Sequence, residues 1–201
     1  MHSVKEAEST IFNLICPLDE TRDSERISLG TAAGRILAQS LVSSLDFPHW
    51  DNSAMDGYAV RYADVEKSPT TLDIIEDIPA GYKPQKRVQA GQAARIFTGA
   101  VLPEGADTIV IQENTERQGD RVTILQSPQS QDFVRHRGSF YQAGTPLLEA
   151  GILLGAPEVA ILAAAQQTQL EVYRRPRVAI LSTGDELIPP DRALQPGQIV
   201  D

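Results

Sequence analysis

Apolar residues in the first eighteen positions fall at helical spacing. Val4, Ala7, Ile11, Leu14 and Ile15 form the stripe and Pro17 stops it, so a helix is predicted over 4–18. A charged turn, DETRDSER, occupies 19–26. ISLGTAAGRILAQSLVSS (27–44) predicts a strand leading into a short helix with the stripe Ala33, Ile36, Leu37, against the weakening effect of Gly30 and Gly34. From 46 to 134 the pattern becomes β. TLDIIEDI (71–78), ARIFTGAVL (94–102), DTIVIQENTER (107–117) and RVTILQS (121–127) are short, rich in β-branched residues and punctuated by Gly, Pro and Asp. Gln118-Gly119-Asp120 between the last two runs predicts a tight hairpin. Short strands without a long helical pattern predict a small barrel or a sandwich.

Helical patterning returns near 156–167. Pro157 and Glu158 suit a first turn, and Val159, Ile161, Leu162, Ala163 and Ala165 make a helix apolar enough to be well buried. Val178-Ala179-Ile180-Leu181 is a continuous apolar run, as in a strand covered on both faces, and Ser182-Thr183-Gly184-Asp185 follows at once. That sequence of events is how an α/β domain opens. Only 194–201 remains to continue it, so the chain is expected to be a fragment that stops inside its last domain. The fold class is α+β and multi-domain: a helical or mixed N-terminal region, an inserted β-rich region, and the first strand of an α/β domain.

Composition narrows the function classes. The chain has 201 residues and a formal charge of −9, which argues against nonspecific nucleic-acid binding and against an anionic membrane surface. The longest apolar stretch, 150–165, is interrupted by Pro157 and Glu158 and is shorter than the roughly 20 residues of a span. The first ten residues lack the apolar core of a signal peptide. A soluble cytoplasmic protein is expected. The single cysteine, Cys16, excludes an intramolecular disulfide, and His2, His49 and His136 have no metal-ligand spacing.

Four segments could carry chemistry. DFPHWDNSAMDGYAV (46–60) sets Asp46, Asp51 and Asp56 among turn formers, with the only tryptophan, Trp50, and Met55 nearby. Read plainly it is a well-made connection; read functionally, three carboxylates so close need a compensating cation, and hard cations such as Mg²⁺ choose carboxylate oxygens. In RIFTGAVLPEGADTIVIQE (95–113), Thr98 is either a turn residue or a hydroxyl donor to a phosphate. In LSTGDEL (181–187), Ser182, Thr183, Gly184 and Asp185 could bring backbone N–H groups to an anion, while Asp185 and Glu186 add metal-binding or acid–base capacity; helix N-termini favour the same residues for structural reasons. Arg135, His136 and Arg137 form the one basic cluster, read as an anion clamp, an interface, or a face that balances nearby carboxylates.

Together these segments resemble the molybdopterin molybdenumtransferase (MoeA) family, a relative of the gephyrin E-domain. The matching strings are 29–60, PAG (79–81), 95–113, RPRVAILSTGDEL (175–187) and PGQIVD (196–201), in order along nearly the whole chain. DNSAMDGYAV followed by STGDEL is the specific combination. The resemblance implies molybdenum cofactor biosynthesis: molybdate is inserted into adenylylated molybdopterin, with Mg²⁺, and AMP is released. It implies a homodimer with a shared site, the molybdopterin adenylyltransferase as a partner, and a parent chain about twice this length, so that these residues alone are expected to be inactive.

The implied domains are 1–45 with 135–173, an inserted β domain at 46–134, and the start of a pterin-binding α/β domain at 174–201. The implied catalytic residues are Asp56, Thr98 and Glu186, with Asp56 and Glu186 toward the metal and Ser182, Thr183, Gly184 and Asp185 toward the cofactor substrate. One departure stands out: after Arg137-Gly138-Ser139 the family aspartate is replaced by Phe140. A non-enzymatic dimeric scaffold of the same architecture is the alternative; retention of Asp56, Thr98 and Glu186 favours the enzyme. Another pterin- or nucleotide-handling α/β enzyme would share only the STGDEL region, and the motifs of 46–113 speak against it.

Overall fold

The computed structural model describes residues 2–201. In chain order these form α1 (Val4–Leu14), β1 (Ser24–Ser28), β2 (Leu41–Val42), β3 (Asn52–Ser53), β4 (Gly57–Val60), β5 (Thr70–Ile78), β6 (Gln92–Ile96), β7 (Thr108–Ile111), β8 (Thr115–Gln118) and β9 (Arg121–Ile124). Then come β10 (Val134–Arg135), β11 (Pro146–Leu148), α2 (Ala156–Ala164), β12 (Gln169–Tyr173), β13 (Leu187–Ile188) and β14 (Ile199–Val200). The chain divides into two compact units: Arg26–Val172, and the residues before Arg26 together with Tyr173–Asp201. Among the described residues the fold is mostly β, with a curled six-stranded sheet and two α-helices.

The sheet carries the larger unit, in the order β7-β4-β6-β5-β9-β8. β4 is antiparallel to both β6 and β7, while β5 runs parallel to β6 and antiparallel to β9. The parallel pair needs a crossover of about a dozen residues, and residues 79–91 supply it. β7 and β8 are the two edges, yet only the 3₁₀ turn Gln112–Asn114 joins them, so the sheet must curl to bring its edges close. The expected hairpin at 118–120 is present: Gln118 pairs with Arg121, and Gly119 takes a positive φ of 59°. Alternation along the strands fills both faces. Tyr58, Val60, Leu72, Ala93, Val110, Val122 and Ile124 pack on one side; Ala59, Ile78, Ala94, Ile96 and Ile109 pack on the other.

The second packed region of this unit joins α2 to extended chain. Leu37, Leu154, Leu162, Leu170 and Val172 form its core. The helix expected after residue 27 is absent. Beyond a single 3₁₀ turn at Leu29–Thr31, the chain is tied to distant segments: Gly34 N–H donates to Leu154 O at 2.8 Å, Leu37 N–H to Ile152 O at 3.0 Å and Ala38 N–H to Glu171 O at 2.9 Å. Gly34 at φ +76° turns the chain into that path, and backbone pairing outweighs the local apolar stripe. Helix α2 is also less covered than its composition suggests. Within it only Leu162 is buried, and Ile161 remains exposed.

In the other unit, α1 ends at Leu14, short of the predicted 18, with Ile15 already extended. Ser3 caps it: its side chain accepts from Glu6 N–H, and the Glu6 carboxylate accepts from Ser3 N–H. No residue of α1 is buried. The expected strand at Val178–Leu181 does not form; Val178, Ile180 and Leu181 are 80%, 90% and 86% exposed. A strand covered on both faces needs ladder partners on both sides. After β12 ends at Tyr173, the described residues supply only the two-residue parallel pair β13–β14.

Asp23 is the exception in this unit, being buried and charged. Arg22 Nη2 reaches its Oδ2 at 2.8 Å, Arg174 Nη2 its Oδ1 at 2.6 Å, and Asp19 N–H its Oδ2 at 3.0 Å. Arg22 first, then the Asp19 amide and Arg174, hold the carboxyl well below the usual carboxylate range. Its folded pKa is depressed, so its contribution is complete above the unfolded value, about 3.9, and is lost as pH falls through the folded value. Asp23→Ala leaves two guanidinium groups facing no carboxylate. Differential scanning calorimetry at pH 7 is expected to show a melting midpoint lower by roughly 5–10 °C, with the gap closing only at strongly acidic pH.

Candidate functional site

The 51–56 loop is threaded between two other segments. Leu102 N–H donates to Asp51 O, Ser53 N–H to Ala100 O, and Gly99 N–H to Ser53 O; on the opposite side Ala54 N–H donates to Phe133 O and β10 pairs with β3. Ser53 folds the turn, accepting from Met55 N–H at 3.3 Å and donating to Met55 O. The loop then enters β4, which is paired on both sides, by β7 and β6, so Asp56 stands at the mouth of an interior strand.

Asp56 and Thr98, 42 residues apart in sequence, are joined. Thr98 donates to the same oxygen of Asp56 twice, from its backbone N–H at 2.7 Å and from its hydroxyl at 2.8 Å. These two donors, with a smaller contribution from the Arg95 charge, lower the Asp56 pKa below its ordinary value. The hydroxyl hydrogen of Thr98 is thereby spent on Asp56, and its remaining capacity toward a ligand is as an acceptor. Among the described residues, Asp56 Oδ2 receives no hydrogen bond. One carboxylate oxygen is held and the other is open.

The remaining carboxylates of the loop find hydrogen-bond partners inside the protein. Asp46 accepts from Arg137 Nε at 2.5 Å and Ala143 N–H at 2.8 Å, which lower its pKa, the amide first. Asp51 accepts from Arg137 N–H at 2.7 Å, and His136 Nδ1 lies 3.4 Å from its other oxygen. Within the basic cluster, Arg137 thus balances Asp46, and His136 faces Asp51. Asp46, Arg137 and Ala143 border a cavity of about 300 Å³ beside Trp50, to which Asp51, His136 and Asp56 do not contribute. Phe140, at the position where an aspartate was expected, is exposed and lies against Phe47 with ring centroids 5.7 Å apart.

Glu186, Ser182, Thr183, Gly184 and Asp185 belong to the other unit and are exposed. A turn closes there through Leu187 N–H to Gly184 O at 3.1 Å, and Glu186 O accepts from Ile199 N–H. The Glu186 carboxylate folds over Gly184, where an added Cβ would stand 2.5 Å from Oε2. Among the described residues no group of three or more His, Cys, Asp or Glu side chains could hold a metal ion. Mg²⁺, however, is bound through one or two carboxylates with waters and substrate phosphates. A single hard oxygen donor such as Asp56 Oδ2 fits that chemistry.

Arg95 and Gln112 were not singled out from the sequence. The signal was available: Arg95 is the only charged residue in the run AARIF.

Comparison with known proteins gives the following matches. A family model for the MoeA N-terminal region (domain I and II) covers residues 2–165. A molybdopterin molybdenumtransferase of Nostoc sp. is 58% identical over 205 residues, covering 100% of this chain and 47% of the relative. One from Haemophilus influenzae is 37% identical over 179 residues, covering 89% and 44%. A crystal structure of a molybdopterin biosynthesis MoeA protein from Pyrococcus horikoshii matches with a TM-score of 0.86 at 32% identity, covering 98% of this chain and 52% of that one. The chain spans about half the length of the curated relatives it matches.

Proposed function

The chain belongs to the MoeA family, and on that premise we propose that the protein acts in molybdenum cofactor biosynthesis, inserting molybdate into adenylylated molybdopterin with release of AMP. The observation that carries this reading is Asp56, with one oxygen fixed by both donors of Thr98 and the other open. Asp56 Oδ2 would hold Mg²⁺ or orient a water against the phosphoanhydride. A Mg²⁺ held there would supply neutralisation of the charge that develops on the departing AMP. Thr98 keeps Asp56 ionised and aimed, and Glu186 is the second carboxylate of the reading. The backbone of Ser182, Thr183, Gly184 and Asp185 would cradle phosphate.

The same reading divides the chain into 1–45 with 135–173, an inserted β domain at 46–134, and the start of a pterin-binding α/β domain at 174–201. It places a shared site in a cytoplasmic homodimer that receives its substrate from the molybdopterin adenylyltransferase. The genetic test is complementation. The full-length protein is expected to restore molybdoenzyme activity in a bacterium lacking its own molybdopterin molybdenumtransferase, and the Asp56→Asn form is not. Failure of a well-expressed, dimeric wild type would favour the scaffold alternative.

A further inference from the structure

The geometry points to Arg95 as a positioning residue that fixes the Asp56–Gly57 peptide, and through it the open carboxylate oxygen, against the curled sheet. The inference rests on Asp56 being the functional carboxylate. Arg95 lies on β6 directly opposite Tyr58 on β4, and Phe97, two residues on, shares its face. The guanidinium carbon is 5.2 Å from the Tyr58 ring centroid and 4.7 Å from that of Phe97, a cation–π setting that restrains the group. Its fork then makes two bonds. Nη1 donates to Gly57 O at 2.9 Å, and Nη2 donates to Gln112 Oε1 at 2.6 Å.

Gln112 closes the circuit, because its backbone N–H donates to Asp56 O at 3.1 Å. The carbonyl of the Asp56–Gly57 peptide and that of the next peptide are therefore both held, the second by Arg95 directly and the first by the residue that Arg95 grips. Thr98 holds the side chain from a third direction. A lysine could keep the charge but could not span both acceptors with one planar fork. The arrangement is thus geometric as well as electrostatic, and Arg95 itself touches no reacting atom.

The test compares Arg95→Gln, Arg95→Lys and Gln112→Ala. In the full-length enzyme, Arg95→Gln is expected to lower kcat by roughly tenfold or more through misplacement of Asp56, with KM for the pterin substrate changed less than twofold. Arg95→Lys should recover only part of that loss. Independently of any activity, amide hydrogen exchange at Thr98 and Gln112 should quicken at least about tenfold in Arg95→Gln, while Ala59 and Ala94 in the ladder keep their protection. If Arg95→Gln does not fold, Gln112→Ala, at an exposed side chain, carries the same expectation for Thr98 exchange and kcat. Unchanged exchange at Thr98 and Gln112 in a folded Arg95→Gln variant, or full rescue by lysine, overturns the inference even if the enzyme is active. An inactive wild type with the predicted exchange pattern would overturn the proposed function and leave the Arg95 geometry standing.

Discussion

Asp56→Asn is expected to reduce AMP release from adenylylated molybdopterin by about 10²–10³-fold, the range seen when one preorganised group facing developing charge is removed. Asparagine keeps the size of the side chain and the carbonyl oxygen that accepts from Thr98 N–H and Thr98 Oγ. It replaces the open oxygen by an NH₂ group, which can neither ligate a hard cation nor accept a proton from water. The turn itself is held by Ser53 and by Gln112 N–H to Asp56 O, neither of which is touched. The melting midpoint should therefore stay within about 3 °C of wild type. A variant that unfolds early, or that turns over normally, would show that the carboxylate serves only the loop.

Gly57→Ala is expected to have the largest effect on stability. An added Cβ would lie 2.0 Å from Val110 O and 2.9 Å from Val110 C, both backbone atoms of the adjacent strand β7. Neither can move aside without breaking the β4–β7 ladder, in which Gly57 is paired with Ile111. Both sheet cores depend on β4, through Tyr58, Val60 and Ala59. Overpacking of this kind costs about 3 kcal/mol or more, equivalent to a midpoint lower by roughly 10 °C for a chain of this length. A circular-dichroism melt checks it; a shift under about 3 °C would mean that β4 can part from β7 cheaply. The glycine thus serves close approach of two strands rather than a left-handed turn.

The parts of the fold that were legible in the sequence are those written in local periodicity. Strands β5, β6, β7 and β9, the hairpin at Gly119 and helix α2 follow from β-branched runs, turn residues and the Pro157-Glu158 start. Local pattern misled where distant backbone offered better pairing. Ile36 and Leu37 look helical but bridge to Leu153 and Val172. At Val178–Leu181 apolar character alone could not make a strand without neighbours to pair with. The curl of the sheet was not readable either, since it depends on which strands become edges.

The site shows the same division. Asp56 and Thr98 were each visible as turn residues, but their hydrogen bonds span 42 positions. The repulsion inferred among Asp46, Asp51 and Asp56 was physically sound, yet Asp46 and Asp51 both find hydrogen-bond partners in Arg137 and His136, 85 to 91 residues away. Asp56 alone keeps an open oxygen, and that distinction required the tertiary structure. Arg95 escaped notice because a cross-strand cation–π contact leaves no spacing signature in one strand.

The central claim is that Asp56 serves a molybdate-dependent reaction at adenylylated molybdopterin. The most direct measurement is AMP release by the purified full-length enzyme, followed chromatographically with Mg²⁺ present and molybdate either supplied or withheld. AMP formation is expected to require molybdate, to match the molybdenum cofactor formed, and to fall to background in the Asp56→Asn enzyme. AMP release that is indifferent to molybdate, or undiminished in a folded Asp56→Asn enzyme, would contradict it.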